Sequence, residues 1–135
     1  MYRASPYARF FGYYLKRKVQ MKHIMKLHTK PYDLIKSGIK TIELRLNDDK
    51  RKAIKVDDEI EFINSARPKM SLHCRVIALH KFSSFEELYN NLPLLKCGYT
   101  ENDISTASPD DMDLYYSKEK QNKYGVIGIE IKVCC

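Results

Sequence analysis

From Met21 onward, the chain alternates between short segments of two kinds of hydrophobic spacing. A period of two is typical of a strand with one buried face, and a period near 3.6 is typical of a helix. The first spacing predicts five strands, at residues 24–28, 41–47, 59–64, 72–82 and 124–133. The second, together with capping serines and a glycine just past one end, predicts helices at 31–37, from Ser83 and Ser84 to Leu92, and after Ser108. We interpret the charged stretch 48–55 as a loop.

This order of elements predicts an α+β domain, built as a small barrel or a strongly curled mixed sheet with two to three short helices. The length of 135 residues fits a single domain, and a hydrophobic fraction of 44% is sufficient for a packed core. No run of about 18 apolar residues is present, so we expect no membrane partner.

The faces of the strands follow from the alternation. Cys74, Val76 and Ala78 are predicted to share one face of the long strand. In the last strand, Ile127, Ile129, Ile131 and Val133 are predicted to face inward. Tyr115 is predicted to lie in the core, because it belongs to a helically spaced apolar group with Met112 and Tyr116.

The second predicted strand is the most informative for chemistry. Ile42, Leu44 and Leu46 lie on one face, whereas the other face presents Thr41, Glu43 and Arg45, with Lys40 in the preceding turn. A carboxylate flanked by two cations stays ionised and could accept a proton or orient a ligand amine, while the cations hold an anion. The alternative is a solvated outer face that carries a charged pair.

Charge is distributed unevenly along the chain. The net charge is +7, and residues 1–20 contain five basic residues, six aromatic residues and no acidic one. We predict that 1–20 is a basic, aromatic extension outside the domain that spans 21–135. It is an upstream extension or cloning remnant, an arm that contacts phosphates or bases, or a membrane-surface contact. Within the domain, residues 36–55 hold seven basic and three acidic side chains, whereas residues 82–119 hold two and eight.

The cysteines and histidines predict neither a metal site nor a cofactor. No two of the four cysteines form a C-x-x-C pair, and the four histidines lack metal-ligand spacing. We interpret the cysteines as reduced thiols, which favours a cytoplasmic protein.

Three sequence runs together resemble the ASCH domain family, which belongs to the PUA-like group of folds. They are G-x-K-T-I-E-x-R-L-N-D from Gly38, K-R-x-x-I-K-V-x-D from Lys50, and Y-G-V-I-G-I from Tyr124. The resemblance covers 21–133. Asp57 stands where the family usually has glycine, which predicts a less tightly bent turn.

The resemblance implies a barrel-like core with a cleft between the G-x-K-T strand and the helical side, associated with RNA or nucleotide-derived ligands. Some relatives are amidohydrolases that act on acylated cytidine, and nuclease activity is proposed for others. Lys40 matches the lysine of the amidohydrolase branch, but Glu43 stands where that branch has its threonine nucleophile. A carboxylate there would require a different mechanism.

These observations give a set of candidate residues. The catalytic candidates are Lys40 and Glu43, and the ligand-binding candidates are Lys40, Thr41, Glu43, Arg45, Tyr116, Ser117 and Tyr124. The two tyrosines could stack on bases. Ser117 could bind a phosphate or cap the helix that follows it.

The leading functional hypothesis is a domain that binds RNA or a nucleoside- or nucleotide-like ligand in this cleft. The alternatives are a hydrolase, either a nucleoside amidohydrolase or a ribonuclease, that uses the same cleft, and a protein-interaction module that uses the charged segment 48–55.

Overall fold

A computed structural model describes residues 20–134 and shows one five-stranded mixed sheet that curls into a half-barrel. Its strands are β1 (Lys22–Leu27), β2 (Ile42–Leu46), β3 (Glu59–Asn64), β4 (Ser71–Phe82) and β5 (Val126–Val133). They lie in the order β1-β3-β4-β5-β2, with β1 and β3 parallel and the other pairs antiparallel. The predicted fold class is confirmed.

Short helices connect the strands and cover the sheet. They are α1 (Thr29–Lys36), α2 (Asp49–Lys52), α3 (Phe85–Asn91) and α4 (Lys118–Tyr124), with 3-10 helices at Leu94–Lys96, Ile104–Thr106 and Pro109–Leu114. The prediction of a loop over 48–55 was wrong in part, because Asp48 caps α2 by accepting the backbone N–H of Arg51. The capping box at Ser108 is present, but it starts a 3-10 helix.

Two hydrophobic clusters lie on opposite faces of the sheet. The inner cluster, inside the curl, contains Phe62, Val76 and Ile129 and is covered by Tyr32 and Ile35 of α1. The outer cluster contains Ile42, Leu44, Leu46 and Val126 and is covered by Phe85, Leu88 and Tyr89 of α3. β2 and the start of β5 are therefore covered on both faces.

A β-bulge in β4 changes the face of Ala78. Val76 pairs with Ile131, but Ala78 pairs with Glu130, so Ile77 is the extra residue. Because side chains alternate along a strand, one inserted residue moves every later side chain to the opposite face. The prediction that Ala78 shares a face with Cys74 and Val76 was therefore wrong, and Leu79 takes the inward position opposite Ile129.

The turn before β3 is as tightly bent as a glycine would allow. Asp57 has φ of 77°, the left-handed region, and its backbone N–H donates to the carbonyl of Val76. The expectation of a less tightly bent turn was wrong. The aspartate adopts the left-handed conformation itself, at a steric cost that glycine would avoid.

The two edge strands of the curled sheet come close to each other. On β2, the Arg45 guanidinium donates to the carbonyl of Lys26, at 2.9 Å. After β2, the Lys50 ammonium donates to the carbonyl of Ile24, at 3.0 Å. Since both carbonyls belong to β1, side-chain cations rather than a strand ladder close the half-barrel here.

Two further observations concern the described part of the chain. No helix within residues 20–134 is long and apolar enough to cross a membrane. Cys74, Cys97 and Cys134 are free thiols, the first two buried. The predicted basic extension lies almost entirely outside the described residues, which begin at residue 20.

Candidate functional site

Three charged side chains of the G-x-K-T strand form one compact cluster. The Glu43 carboxylate accepts from the Lys40 ammonium through one oxygen, at 2.7 Å, and from Arg45 Nε through the other, at 2.6 Å. All three side chains are largely buried, with exposed fractions of 5% for Glu43, 10% for Lys40 and 14% for Arg45. We call Lys40, Glu43 and Arg45 the charged triad.

The charged triad lies on the inner face of the sheet. Glu43 pairs with Ile129 and Arg45 with Ile127, and both isoleucines belong to the inner hydrophobic cluster. The alternative of a solvated outer face was therefore wrong, because the curl of the sheet covers both faces of β2. A buried charge is costly unless it is paired, and pairing on both carboxylate oxygens meets this condition for Glu43.

The pKa values show the balance between burial and pairing. Burial by itself would raise the pKa of Glu43, but the charges and hydrogen bonds of Lys40 and Arg45 outweigh it, so the pKa is lowered. Burial would lower the pKa of Arg45, but Glu43 outweighs it and the pKa is raised. Glu43 is therefore an ionised carboxylate at neutral pH, and both of its oxygens are engaged.

The segment after α3 holds the charged triad from one side. The backbone N–H of Thr41 donates to the carbonyl of Lys96. Gly98, at φ of +114°, lies against the stem of Lys40, where an added Cβ would be 3.4 Å from Lys40 Cδ. Burial raises the pKa of the Cys97 thiol to about 11, although the charge of Lys40 opposes this shift. Sequence reasoning had missed Gly98, whose only signal is that it is one of five glycines.

A cavity of about 280 Å³ opens beside the start of β2. Its walls come from the end of α1, the turn before β2 and the end of β5, and they include the predicted residues Lys40 and Thr41. Glu43 and Arg45 do not line it. Sequence reasoning had missed Lys36 and Lys132, which do, because their neighbourhood depends on the pairing of β2 with β5.

The remaining candidates lie toward the other end of β2 or on the helical side. The ring of Tyr116 is stacked on Phe85, with centroids 6.2 Å apart. Burial raises the pKa of the Tyr116 hydroxyl, while the charge of Arg45 opposes the shift. Tyr124 ends α4 and packs against the outer cluster. Neither tyrosine lines the cavity.

Two other predictions on the helical side have different outcomes. Ser117 accepts the backbone N–H of Lys120 and is therefore the N-cap of α4, the alternative to a phosphate contact. Tyr115 is 63% exposed, so its prediction as a core residue was wrong. The 3-10 helix ends at Leu114 and Tyr115 follows it as the C-cap residue, so the helical spacing from Met112 does not continue to Tyr115.

Comparisons with known proteins identify the fold of this chain and then its family. The crystal structure of the hypothetical protein PH0355 matches with 32% sequence identity and a TM-score of 0.70, over 84% of this chain and 100% of that chain. PF0455 from Pyrococcus furiosus also has 32% identity, with a TM-score of 0.63 over 84% of this chain and 97% of that one.

A structure with lower sequence identity shares the fold. A variant of ZmASCH from Zymomonas mobilis shares 12% identity and a TM-score of 0.60 over 84% of this chain and 68% of that one, which shows the fold alone. No curated protein matches the chain. The curled mixed sheet with short covering helices is thus a PUA-like α+β domain. The family model described as the ASCH domain matches residues 25–134, and the chain belongs to that family.

Proposed function

We propose that this protein binds RNA or a nucleotide-like ligand at the charged triad and the cavity beside it. One observation carries the proposal: two largely buried cations, Lys40 and Arg45, share a single carboxylate. The charged triad therefore has a net charge of about +1 when Glu43 is ionised. An uncompensated charge in a mostly buried place is costly, and an anionic ligand would compensate it.

The surroundings support a phosphate-bearing ligand. Hydroxyl and ammonium groups are the usual partners of phosphate oxygens, and both Thr41 and Lys40, which carry such groups, line the cavity. The stretch 36–55, which contains the charged triad, has seven basic and three acidic side chains, and this excess of positive charge favours an anionic ligand. The general association of ASCH domains with nucleic acids agrees with this reading.

The geometry favours binding over hydrolysis. A general base works best with a pKa near the operating pH, whereas the pKa of Glu43 is lowered and both oxygens accept from cations. Glu43 thus has the properties of a residue that positions Lys40 and Arg45.

The alternative of a protein-interaction module that uses the segment 48–55 has less support than ligand binding. Two cations of the segment 48–55 are engaged inside the domain: Lys50 with the carbonyl of Ile24, and Arg51 with Asp48.

The test is salt-dependent binding of short RNAs and nucleotides to Lys40→Ala and Arg45→Ala. Each variant should bind more weakly, and the slope of log K against log salt should fall by roughly 0.7 for each lost contact to a single-strand phosphate. The matched control is Lys69→Ala, since Lys69 is exposed in a turn. Thermal melts of all variants check that each remains folded. Affinity and slope equal to wild type in both triad variants would refute the proposal.

A further inference from the structure

The cavity beside β2 is strongly one-sided in its charge. Among residues 20–134, its lining contains three lysines, Lys36, Lys40 and Lys132, and no acidic residue. Lys36 and Lys132 form no ion pair with any carboxylate in residues 20–134 and are exposed. Lys40 is different, because its side chain is only 10% exposed and is fixed by Glu43. The cavity thus combines one lysine whose ammonium is held by Glu43 with two lysines that have no carboxylate partner among residues 20–134.

Hydroxyl groups complete the polar lining. Thr41 has both backbone groups engaged, with the carbonyl of Lys96 and the N–H of Ile131, so the strand fixes its position. Ser37 donates its hydroxyl to the carbonyl of Leu34. The last carbonyls of α1 accept from the N–H groups of residues 37–40, which reduces their repulsion toward an anion. Apolar walls come from Ile35, Ile131 and Val133.

We propose that this cavity binds a phosphomonoester, the terminal phosphate of a nucleotide or of an RNA end, rather than an internal phosphodiester. A phosphomonoester carries about 1.5 to 2 negative charges at neutral pH, whereas a diester carries one. Three lysines in one lining therefore favour the monoester. The volume of about 280 Å³ is just below the usual range for ligand pockets, which fits one phosphorylated group better than a continuous strand.

This inference rests on the proposed function, and it names the group that the site selects. The phosphomonoester could belong to a mononucleotide or to either end of an RNA, and these sources share the same chemistry. The experiment therefore includes all of them: nucleoside monophosphates against nucleosides, and one short RNA with a 5′-phosphate, a 3′-phosphate or hydroxyls at both ends.

Binding is measured by calorimetry for the mononucleotides and by fluorescence anisotropy for the RNAs. We expect the phosphorylated form to bind at least about tenfold more tightly than the hydroxyl form, since a charge-assisted contact is worth about one such factor. The preference should fall as the pH is lowered through about 6, where a phosphomonoester takes up its second proton. The hydroxyl RNA serves as the control for this pH dependence, because its diesters do not titrate there.

The variant that tests the cavity is Lys36→Gln combined with Lys132→Gln. Both side chains are exposed and have no carboxylate partner among residues 20–134, so the fold should be retained. The preference for the terminal phosphate should drop to below about threefold, while binding of the hydroxyl RNA changes little beyond the loss of general charge. The control is Lys69→Gln combined with Lys120→Gln, which removes the same charge from exposed positions outside the cavity lining.

The outcomes separate the two proposals. Equal affinity for phosphorylated and hydroxyl forms, with both dependent on Lys40, would overturn the phosphomonoester inference and leave the proposed function standing. If Lys36→Gln combined with Lys132→Gln keeps the preference for the terminal phosphate, the phosphomonoester inference is likewise overturned and the proposed function still stands. A failure of every RNA and nucleotide to bind would overturn the proposed function and the inference with it.

Discussion

Replacing Glu43 with glutamine tests the electrostatic logic of the charged triad. The carboxylate accepts from two cations, whereas a glutamine amide has one oxygen and an NH2 group that must face one of them. The change leaves two largely buried cations without a counter-charge. Removal of one partner from a buried ion pair costs about 3–5 kcal/mol. At roughly 4 °C per kcal/mol for a domain of this size, the melting temperature should fall by about 12 °C or more.

The pH dependence provides a signature that a merely steric change would lack. The pKa of Glu43 is lowered in the folded state, so the unfolded chain takes up the proton more readily. The stabilisation by Glu43 is therefore fully present above its ordinary value of 4.5 and is lost as the pH falls through the lower folded-state pKa. The difference in unfolding free energy between wild type and Glu43→Gln should shrink over that acidic range.

Urea unfolding at several pH values measures the loss of unfolding free energy in Glu43→Gln and the change of this loss with pH. Glu101→Gln is the matched control, because Glu101 is exposed, and it should remain within about 0.5 kcal/mol of wild type. A second variant, with Lys40→Met, Glu43→Leu and Arg45→Met together, should recover most of the lost stability but not ligand binding, since it buries no unpaired charge. A loss below about 1 kcal/mol in Glu43→Gln, or a difference that does not change with pH, would refute the reasoning.

Three further predictions concern the fold. Asp57→Gly should raise the free energy of unfolding by roughly 0.5–1 kcal/mol, because glycine adopts φ of 77° without steric cost; a lower melting temperature would contradict this. Gly128→Ala should cost about 1–3 kcal/mol in urea unfolding, since its Cβ would meet Leu92 Cδ1 at 2.7 Å; wild-type stability would show that Leu92 moves away freely. Deletion of residues 1–20 should leave the melting temperature nearly unchanged, and a loss of several degrees would show that this segment stabilises the domain.

Much of the fold could be predicted from local patterns. The strand at 59–64 was predicted to the residue, and Ser84 caps α3 as its spacing from Glu87 indicated. Such features depend on a few neighbouring residues, so a single sequence contains them. The bulge at Ile77 has no such local signal. Only the pairing of β4 with β5 shows that one residue is extra and that the alternation is interrupted there.

The sequence pattern predicted which side chains of β2 share a face, but it did not predict the environment of that face. The alternation correctly placed Glu43 and Arg45 on one face of β2, opposite to Leu44. Their burial arises because the sheet curls and α1 covers its inner face, a tertiary event with no local signal. For the same reason the cavity lysines were missed, since Lys36 and Lys132 meet only when β5 lies beside β2.

The position of β2 at the edge of the sheet has a consequence for synthesis of the chain. Its only strand neighbour among residues 20–134 is β5, the last strand of the domain, so β2 leaves the ribosome long before its partner exists. Until β5 is synthesised, a strand with leucine and isoleucine on one face can pair with the wrong segment. Glu43 and Arg45 interrupt the apolar run, and charges of this kind oppose aggregation of exposed strands. The residues that we propose to serve the ligand would thus first protect the nascent chain.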